Sequence, residues 1–333
     1  MAKKRIIPVF IPHLGCPNGC VFCDQRKITG VGTPVTPQVV EQQIREGLQR
    51  SGEAPELAFY GGSFTAIPVS QQEALLGAAQ PFLQNGRLSH LRLSTRPDAI
   101  DRETVARLRQ FGVGTVELGC QSMDETVLAL SRRGHSPEDT KRAVKLLQAG
   151  GIRVILQMMT GLPGDTGEES RKTAGEIAAL CPDGVRIYPT VVLRGTELHR
   201  MMLAGAYQPQ TVEAAVELCA ELYELFLARD IPVIRVGLNP TEDLSGGEAV
   251  AGAYHPALGE MVLSRMYRRR TEALLQGGCP GESLTISVHP SRVSVMVGQK
   301  RENILTLKEK FNLKTIKVVP EALELWEISL KNG

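Results

Sequence analysis

A chain of 333 residues with 42% hydrophobic and 22% charged residues has ordinary globular composition, enough for one large domain or a large and a small one. No run approaches the ~18 apolar residues of a membrane span. MAKKRIIPVFIPHLG starts basic but lacks a secretory apolar stretch, so the expected compartment is the reducing cytoplasm. The net charge of +2 hides an asymmetry: residues 261–333 hold 12 Lys/Arg against 7 Asp/Glu, the remainder 26 against 29. A basic C-terminal segment on a mildly acidic body suits an anionic partner, nucleic acid first, with a solvated surface as the alternative.

In chain order, β-rich runs alternate with helical spacing. The runs are IIPVFIPH (6–13), ELAFYGGSF (56–64), LRLSTRP (91–97), TVELGCQS (115–122), IRVILQMMTG (152–161) and VRIYPTVVL (185–193). Helix starts are signalled by Thr36 before Pro37, by Asp101, and by Ser136 before Pro137. A seventh run, IPVIRVGLN (231–239), follows the helical stretch 211–230. Strands each followed by a helix imply a parallel α/β sheet, either a (β/α) barrel or an open doubly wound sheet. Several runs end in polar or glycine-rich tails, and in such folds the C-terminal strand ends carry the site.

Three of the seven cysteines, Cys16, Cys20 and Cys23, lie within eight residues. In a reducing compartment such thiols signal a metal or catalysis ahead of a disulfide. Pro17, Asn18 and Gly19 favour a tight loop on which three thiolates point at one centre. A closed zinc site or an electron-transfer cluster normally takes four protein ligands. Three on a [4Fe–4S] cube would leave one iron open to a small molecule. Zinc with a fourth ligand from elsewhere is the chief alternative, and a chance grouping the other. Cys120, Cys181, Cys219 and Cys279 show no ligand spacing and read as small buried hydrophobes. His135 and His255 adjoin turn residues and are expected to make structural hydrogen bonds; His255 with Tyr254 at a substrate mouth is the alternative.

C-x-x-x-C-x-aromatic-C, with Phe22 as the aromatic, resembles the signature of the radical S-adenosylmethionine (SAM) enzymes. The resemblance implies a [4Fe–4S] cluster on Cys16, Cys20 and Cys23 whose open iron chelates SAM, and reductive cleavage of SAM to methionine and a 5′-deoxyadenosyl radical. The cofactors would carry the hard chemistry. YGGSF (60–64) is similar to the family's glycine motif, which makes Gly61, Gly62 and Ser63 cofactor contacts, the glycines letting the backbone approach the methionine amino group. STRPD (94–98), ELGCQS (117–122), RRGH (132–135) and YPTVVLRGTEL (188–198) resemble the radical domain of the catalytic subunit of Elongator, the tRNA wobble-uridine modifying complex. Oxygen-independent coproporphyrinogen oxidase is a more distant likeness. By the resemblance, Phe22 adjoins the cofactor, Gln121 meets the adenosyl group, and Arg133 meets the methionine carboxylate, which a forked guanidinium suits. Gln121 as a helix cap and Arg133 paired with Asp124 or Glu125 are the alternatives. Ser94 stands where a carboxylate is usual and Gln157 where an aspartate often ends strand five, so contacts to the ribose hydroxyls must be partly rearranged. The implied fold is a partial (β/α)6 TIM-like barrel with a C-terminal helical extension.

The cluster GGCPGE (277–282) is the expected boundary, giving a barrel domain over 1–278 and a small α+β domain over 279–333. There TISVHPSRVSVMV, QKRENILTLKEKF and LKTIKVVP read as strand, helix and strand. Some 50 residues cannot hold the acetyltransferase domain that Elongator's catalytic subunit carries. VMVGQKRENILTLKEKF resembles a KH domain, whose G-x-x-G loop clamps a nucleic-acid backbone. Gly298–Gln299–Lys300–Arg301 keeps the first glycine and has arginine for the second; the two cations suit phosphate. Arg265–Arg270, RMYRRR, adds a basic stretch. A small cap with a solvated charged face is the alternative. The expectation is an oxygen-sensitive radical SAM enzyme that modifies RNA, tRNA above all, with ferredoxin or flavodoxin as electron donor. A coproporphyrinogen-oxidase-like enzyme of small molecules and a non-catalytic iron–sulfur protein that binds RNA or senses redox state are the competing readings.

Overall fold

The computed structural model describes residues 5–16, 19–29, 35–49, 53–241, 244–277 and 281–332; Pro17, Asn18 and Cys279 lie outside the described residues. The strands are β1 (Ile6–Phe10), β2 (Glu56–Tyr60), β3 (Leu91–Thr95), β4 (Val113–Gln121), β5 (Arg153–Thr160), β6 (Gly184–Pro189), the short β7 (Val191–Leu193) and β8 (Val233–Val236). β1 to β6 and β8 form one seven-stranded sheet in chain order, and every pairing in it is parallel. An order without reversal is the barrel alternative, since a doubly wound sheet turns back at a switch point. β1 and β8 remain edges, so the barrel is open.

Its helices start where the sequence signals them. α1 (Gln25–Thr29) and α2 (Pro37–Leu48) follow β1, α3 (Val69–Gly77) and α4 (Gln80–Gln84) follow β2, and α5 (Arg102–Gln110) follows β3. α6 (Glu125–Leu130) and α7 (Pro137–Ala149) follow β4, and α8 (Gly167–Ala179) follows β5. Thr36 Oγ1 accepts from Val39 N at 3.4 Å and Asp101 Oδ1 from Thr104 N at 2.7 Å. Ser136 and Asp139 complete a capping box at α7. α9 (Glu197–Leu203) and α10 (Val212–Leu227) separate β7 from β8.

Strand residues alternate sharply. Leu57, Phe59, Leu91, Leu93, Val116 and Leu118 are fully buried on one face. The other face carries Glu56, Tyr60, Arg92, Ser94, Glu117 and Arg186. Arg186 Nη2 on β6 lies 3.4 Å from the Tyr60 hydroxyl on β2. Four inter-strand steps would part these strands by ~19 Å in a flat sheet, beyond the reach of both side chains. The sheet therefore curls, and the polar face is concave.

One expected strand is two. The run 185–193 breaks after Pro189, which has no N–H for a continuing ladder; β7 turns to pair antiparallel with β9 (Ala249–Gly252).

By compactness the chain divides into Met1–Thr211 with Leu225–Tyr254, and Val212–Glu224 with His255–Gly333. The second unit contains α11 (Leu258–Gln276), β10 (Ser283–Val288), α12 (Val293–Val297), α13 (Glu302–Lys310), β11 (Thr315–Pro320) and β12 (Ile328–Asn332). The division precedes α11 instead of falling at 278/279, because Tyr267 and Leu275 of α11 are buried in one core with Ile286, Met296 and Leu307. β10 pairs parallel with β11 and antiparallel with β12, a small α+β sheet. SRVSVMV, expected as strand, is mostly helical: burying Val295 and Met296 in this core overrides β-branched propensity.

Candidate functional site

The cysteine loop leaves β1 and is laid against the end of β2 by backbone bonds, Ile11 N to Tyr60 O (2.7 Å), His13 N to Gly61 O (3.0 Å) and Ser63 N to Leu14 O (2.8 Å). A Cβ at Gly62 would stand 2.5 Å from Leu14 O and 2.6 Å from Ile11 O, and one at Gly15 2.2 Å from Ser63 O. The glycine motif thus clears room for the cysteine loop itself. Gly61 adds a positive φ of 93° that turns the chain at the strand end. Val21 is buried with Val192, Leu198 and Tyr207, and Phe22 packs on the same cluster. This returns the loop to the barrel.

Cys16 is exposed; Cys20 and Cys23 are half-buried. Arg133 Nη1 donates to Cys20 Sγ at 3.3 Å, and Gln25 Nε2 to Cys23 Sγ at 3.4 Å. Burial, then the neighbouring Cys20, pushes the Cys23 thiol up to about 12 and raises Cys16, while Arg133 works downward on both. Among the described residues no trio of His, Cys, Asp or Glu is gathered as around a single ion. The donor set is nonetheless that of a thiolate-bound group: three sulfurs on one loop with a guanidinium at hand.

Arg133 is buried after α6, and its Nη2 donates to Gly119 O at 2.6 Å. Gln121 closes β4 at a register shift, with φ of 63°. That left-handed backbone costs a non-glycine residue roughly 1 kcal/mol. Its Oε1 is buried without a hydrogen-bond partner, where a ligand donor would satisfy it. A Cβ on Gly119 would lie 2.8 Å from Gln121 Nε2 and 3.3 Å from Arg133 Nη2, so glycine there admits both side chains. The strand-end residues therefore fit a cluster with an attached small molecule.

The other expected contact residues also make bonds within the protein. Ser63 Oγ meets Thr95 Oγ1 (3.1 Å) and accepts from Arg96 N (3.2 Å), tying β2 to β3. Ser94 Oγ donates to Phe59 O at 3.3 Å. Gln157 is half-exposed on the concave face, and its carbonyl accepts the Cys120 thiol at 3.0 Å. His135 Nε2 bonds Cys120 O at 3.1 Å, and burial, then Arg133, holds its imidazole down to about 4. His255 Nδ1 accepts from Ala257 N at 3.1 Å, and the Tyr254 hydroxyl meets Ser245 Oγ at 2.9 Å. Cys120 and Cys219 are buried as expected; Cys181 is exposed at a φ of 48° after α8, a turn and not core.

The concave network escapes motif reading. Glu117 Oε1 accepts from the Tyr60 hydroxyl (3.0 Å), Arg92 Nη1 (2.9 Å) and Arg186 Nη2 (2.9 Å). Glu56 accepts from Arg92 Nε at 2.8 Å; burial works upward on it, but bonds from His90 and Arg92 win and hold it at about 2. Its trace in the sequence is a set of charged residues and tyrosines that fall only on the alternate positions facing the hollow: Glu56 and Tyr60 in ELAFY, Arg92 in LRLST, Glu117 in TVELG, Arg186 and Tyr188 in VRIYP.

In the second unit, Gly298 has a φ of 78°, Lys300 of 49° and Arg301 of 64°, and both cations are exposed. Arginine thus takes the left-handed backbone that the missing second glycine would adopt freely. The basic stretch Arg265–Arg270 is engaged in ion pairs. Arg265 pairs with Glu213 and Glu217, Arg268 with Glu302 (3.2 Å), Arg269 with Glu217 (2.7 Å) and Glu221 (3.1 Å), and Arg270 with Glu224 (3.1 Å). Tyr267 is fully buried. These guanidiniums neutralise carboxylates of their own unit.

The sequence profile of the radical SAM superfamily matches residues 10–177, and that of the radical SAM C-terminal domain residues 182–268. A tRNA uridine(34) acetyltransferase of Dehalococcoides mccartyi (strain CBDB1) is 27% identical over 285 residues, covering 72% of this chain and 62% of that protein. The chain thus spans about three fifths of that relative. The structure of an archaeal Elongator protein 3 from Methanocaldococcus infernus, with an N-terminal deletion, superposes with a TM-score of 0.64 at 26% identity, over 80% of this chain and 63% of that one. Coproporphyrinogen III oxidase from Escherichia coli, a radical SAM enzyme, shares the fold, with a TM-score of 0.50 at 18% identity over 68% of this chain and 53% of that one.

Proposed function

Because the chain belongs to the radical SAM superfamily, we propose that it is an enzyme that cleaves SAM reductively to modify RNA, tRNA above all, in the cytoplasm. Cys16, Cys20 and Cys23 would hold the [4Fe–4S] cluster. When bound, the cluster supplies one electron to the SAM sulfonium, the source of a 5′-deoxyadenosyl radical; a ferredoxin or flavodoxin would refill it.

The observation that carries this is the meeting of Arg133, Cys20 and Gln121 at the end of β4. Arg133 donates to Cys20 Sγ at 3.3 Å, and its planar fork suits a carboxylate. Gln121 Oε1, buried and unpartnered, offers an acceptor to a ligand hydroxyl or amine. Gly62 and Gly15 hold the cysteine loop close to these groups. The tRNA part rests on the names of the relatives and on the exposed Lys300 and Arg301 beside Gly298.

Anaerobically reconstituted protein given dithionite and SAM should release 5′-deoxyadenosine, and Cys20→Ala should abolish the release. No release from well-loaded protein under several reducing conditions would leave the redox-sensor reading in its place. Comparing tRNA nucleosides from a deletion strain and its parent by mass spectrometry tests the substrate separately.

A further inference from the structure

The concave face of the first unit carries an uncompensated charge. Among the described strand residues its carboxylates are Glu56 and Glu117, and its guanidiniums are those of Arg92, Arg153, Arg186 and Arg235. Arg92, Arg153 and Arg186 each reach a carboxylate within 3.8 Å. Arg235 does not. It is the register partner of Arg186 on β8, so its side chain leaves the sheet on the same face. Among the described residues it forms no ion pair, and its one hydrogen bond runs from Nε to Gly237 O at 3.0 Å.

Its surroundings make this costly. Burial draws the Arg235 guanidinium below its ordinary value, against an upward pull from Tyr188 and with a smaller repulsion from Arg186. A half-buried cation beside a like charge destabilises a fold unless something else requires it. The Tyr188 hydroxyl accepts from Arg186 Nη1 at 3.4 Å, which leaves its own proton to donate. A guanidinium and a phenol on neighbouring strands, inside the mouth of an open barrel, make a two-donor receptor for an oxyanion.

We propose that Arg235, with Tyr188, binds an anionic group of the substrate, a carboxylate or a phosphate, and so positions the substrate in the concave chamber. This rests on the reading of that chamber as the place of reaction, and its test needs neither cluster nor SAM. The full chain is unfolded thermally at fixed ionic strength in chloride, inorganic phosphate or acetate. Lys300→Gln/Arg301→Gln is the background, which removes the exposed loop cations. Phosphate or acetate at ten times Kd should raise Tm by about 2–4 °C over chloride. Arg235→Gln should lose that rise while being at least as stable in chloride, since it deletes a half-buried cation that forms no ion pair among the described residues; Arg235→Lys should keep part of the rise. A response to phosphate alone assigns a phosphate-bearing substrate, and one to acetate alone a carboxylate. The proposal fails if neither anion exceeds chloride, if Arg235→Gln responds as its parent does, or if it is markedly less stable in chloride. If Arg235→Gln yields no folded protein, the role is structural and the proposal fails as well. Failure here would leave 5′-deoxyadenosine release untouched, so the two readings fall separately.

Discussion

Asp165, in the turn between β5 and α8, receives two hydrogen bonds on one carboxylate oxygen, from Gly161 N and Ser170 Oγ, each at 2.7 Å. Burial still outweighs them and pushes the carboxyl up to about 6. A pKa raised on folding means that the native state holds its proton more tightly than the unfolded chain. The favourable contribution is complete below about 4 and is lost as pH rises through about 6. Asp165→Asn keeps an acceptor for both donors and abolishes the titration. It should match the wild type near pH 4 and exceed it at pH 8 by up to about 3 kcal/mol, read from urea unfolding at both values; a pH-independent difference would refute the assignment. Arg301 argues the opposite trade. Arg301→Gly relieves a left-handed arginine and should hold or raise stability by up to about 1 kcal/mol, while weakening RNA retention measured by filter binding. Motif reading finds residues whose types are rare and spaced, such as Cys16, Cys20 and Cys23. It passes over Glu117 and Arg186, whose types are common and whose partners lie on other strands.

At the scale of elements, three helix starts are legible because each is a local contest between a side-chain oxygen and orphan N–H groups. Removing the capping box with Ser136→Ala should cost about 1 kcal/mol without altering the site. The concave network is less forgiving. Glu117→Gln leaves Arg92 and Arg186 facing a neutral amide and should cost about 3–5 kcal/mol, measured by denaturant unfolding. Gly62→Ala tests the joint of two elements: its Cβ would press on the Ile11 and Leu14 carbonyls, so iron retained after anaerobic reconstitution should fall while far-UV circular dichroism stays unchanged. Where local reading errs, a neighbour decided. β7 leaves the main sheet for β9, and SRVSVMV turns helical to bury Val295 and Met296.

At the scale of the whole molecule, no helix among the described residues is long and apolar enough to cross a membrane. The proposed RNA contact narrows to Lys300 and Arg301, since the arginines of 265–270 are held by their own carboxylates. Replacing both cations by alanine should lower the slope of log K against log salt by about 1–2; an unchanged slope would place the nucleic acid elsewhere. Cysteine spacing, strand–helix alternation and the small C-terminal α+β unit were determined by sequence alone, because each is written in residues close together along the chain. The curl of the sheet, the ring of charge on its hollow side, Arg235 left over within it, and the neutralisation of Arg265–Arg270 were decided only in three dimensions. Charges are paired or stranded by distance in space, and residues 25 to 69 positions apart, as Glu117 is from Arg92 and from Arg186, acquire that distance only when the chain closes on itself.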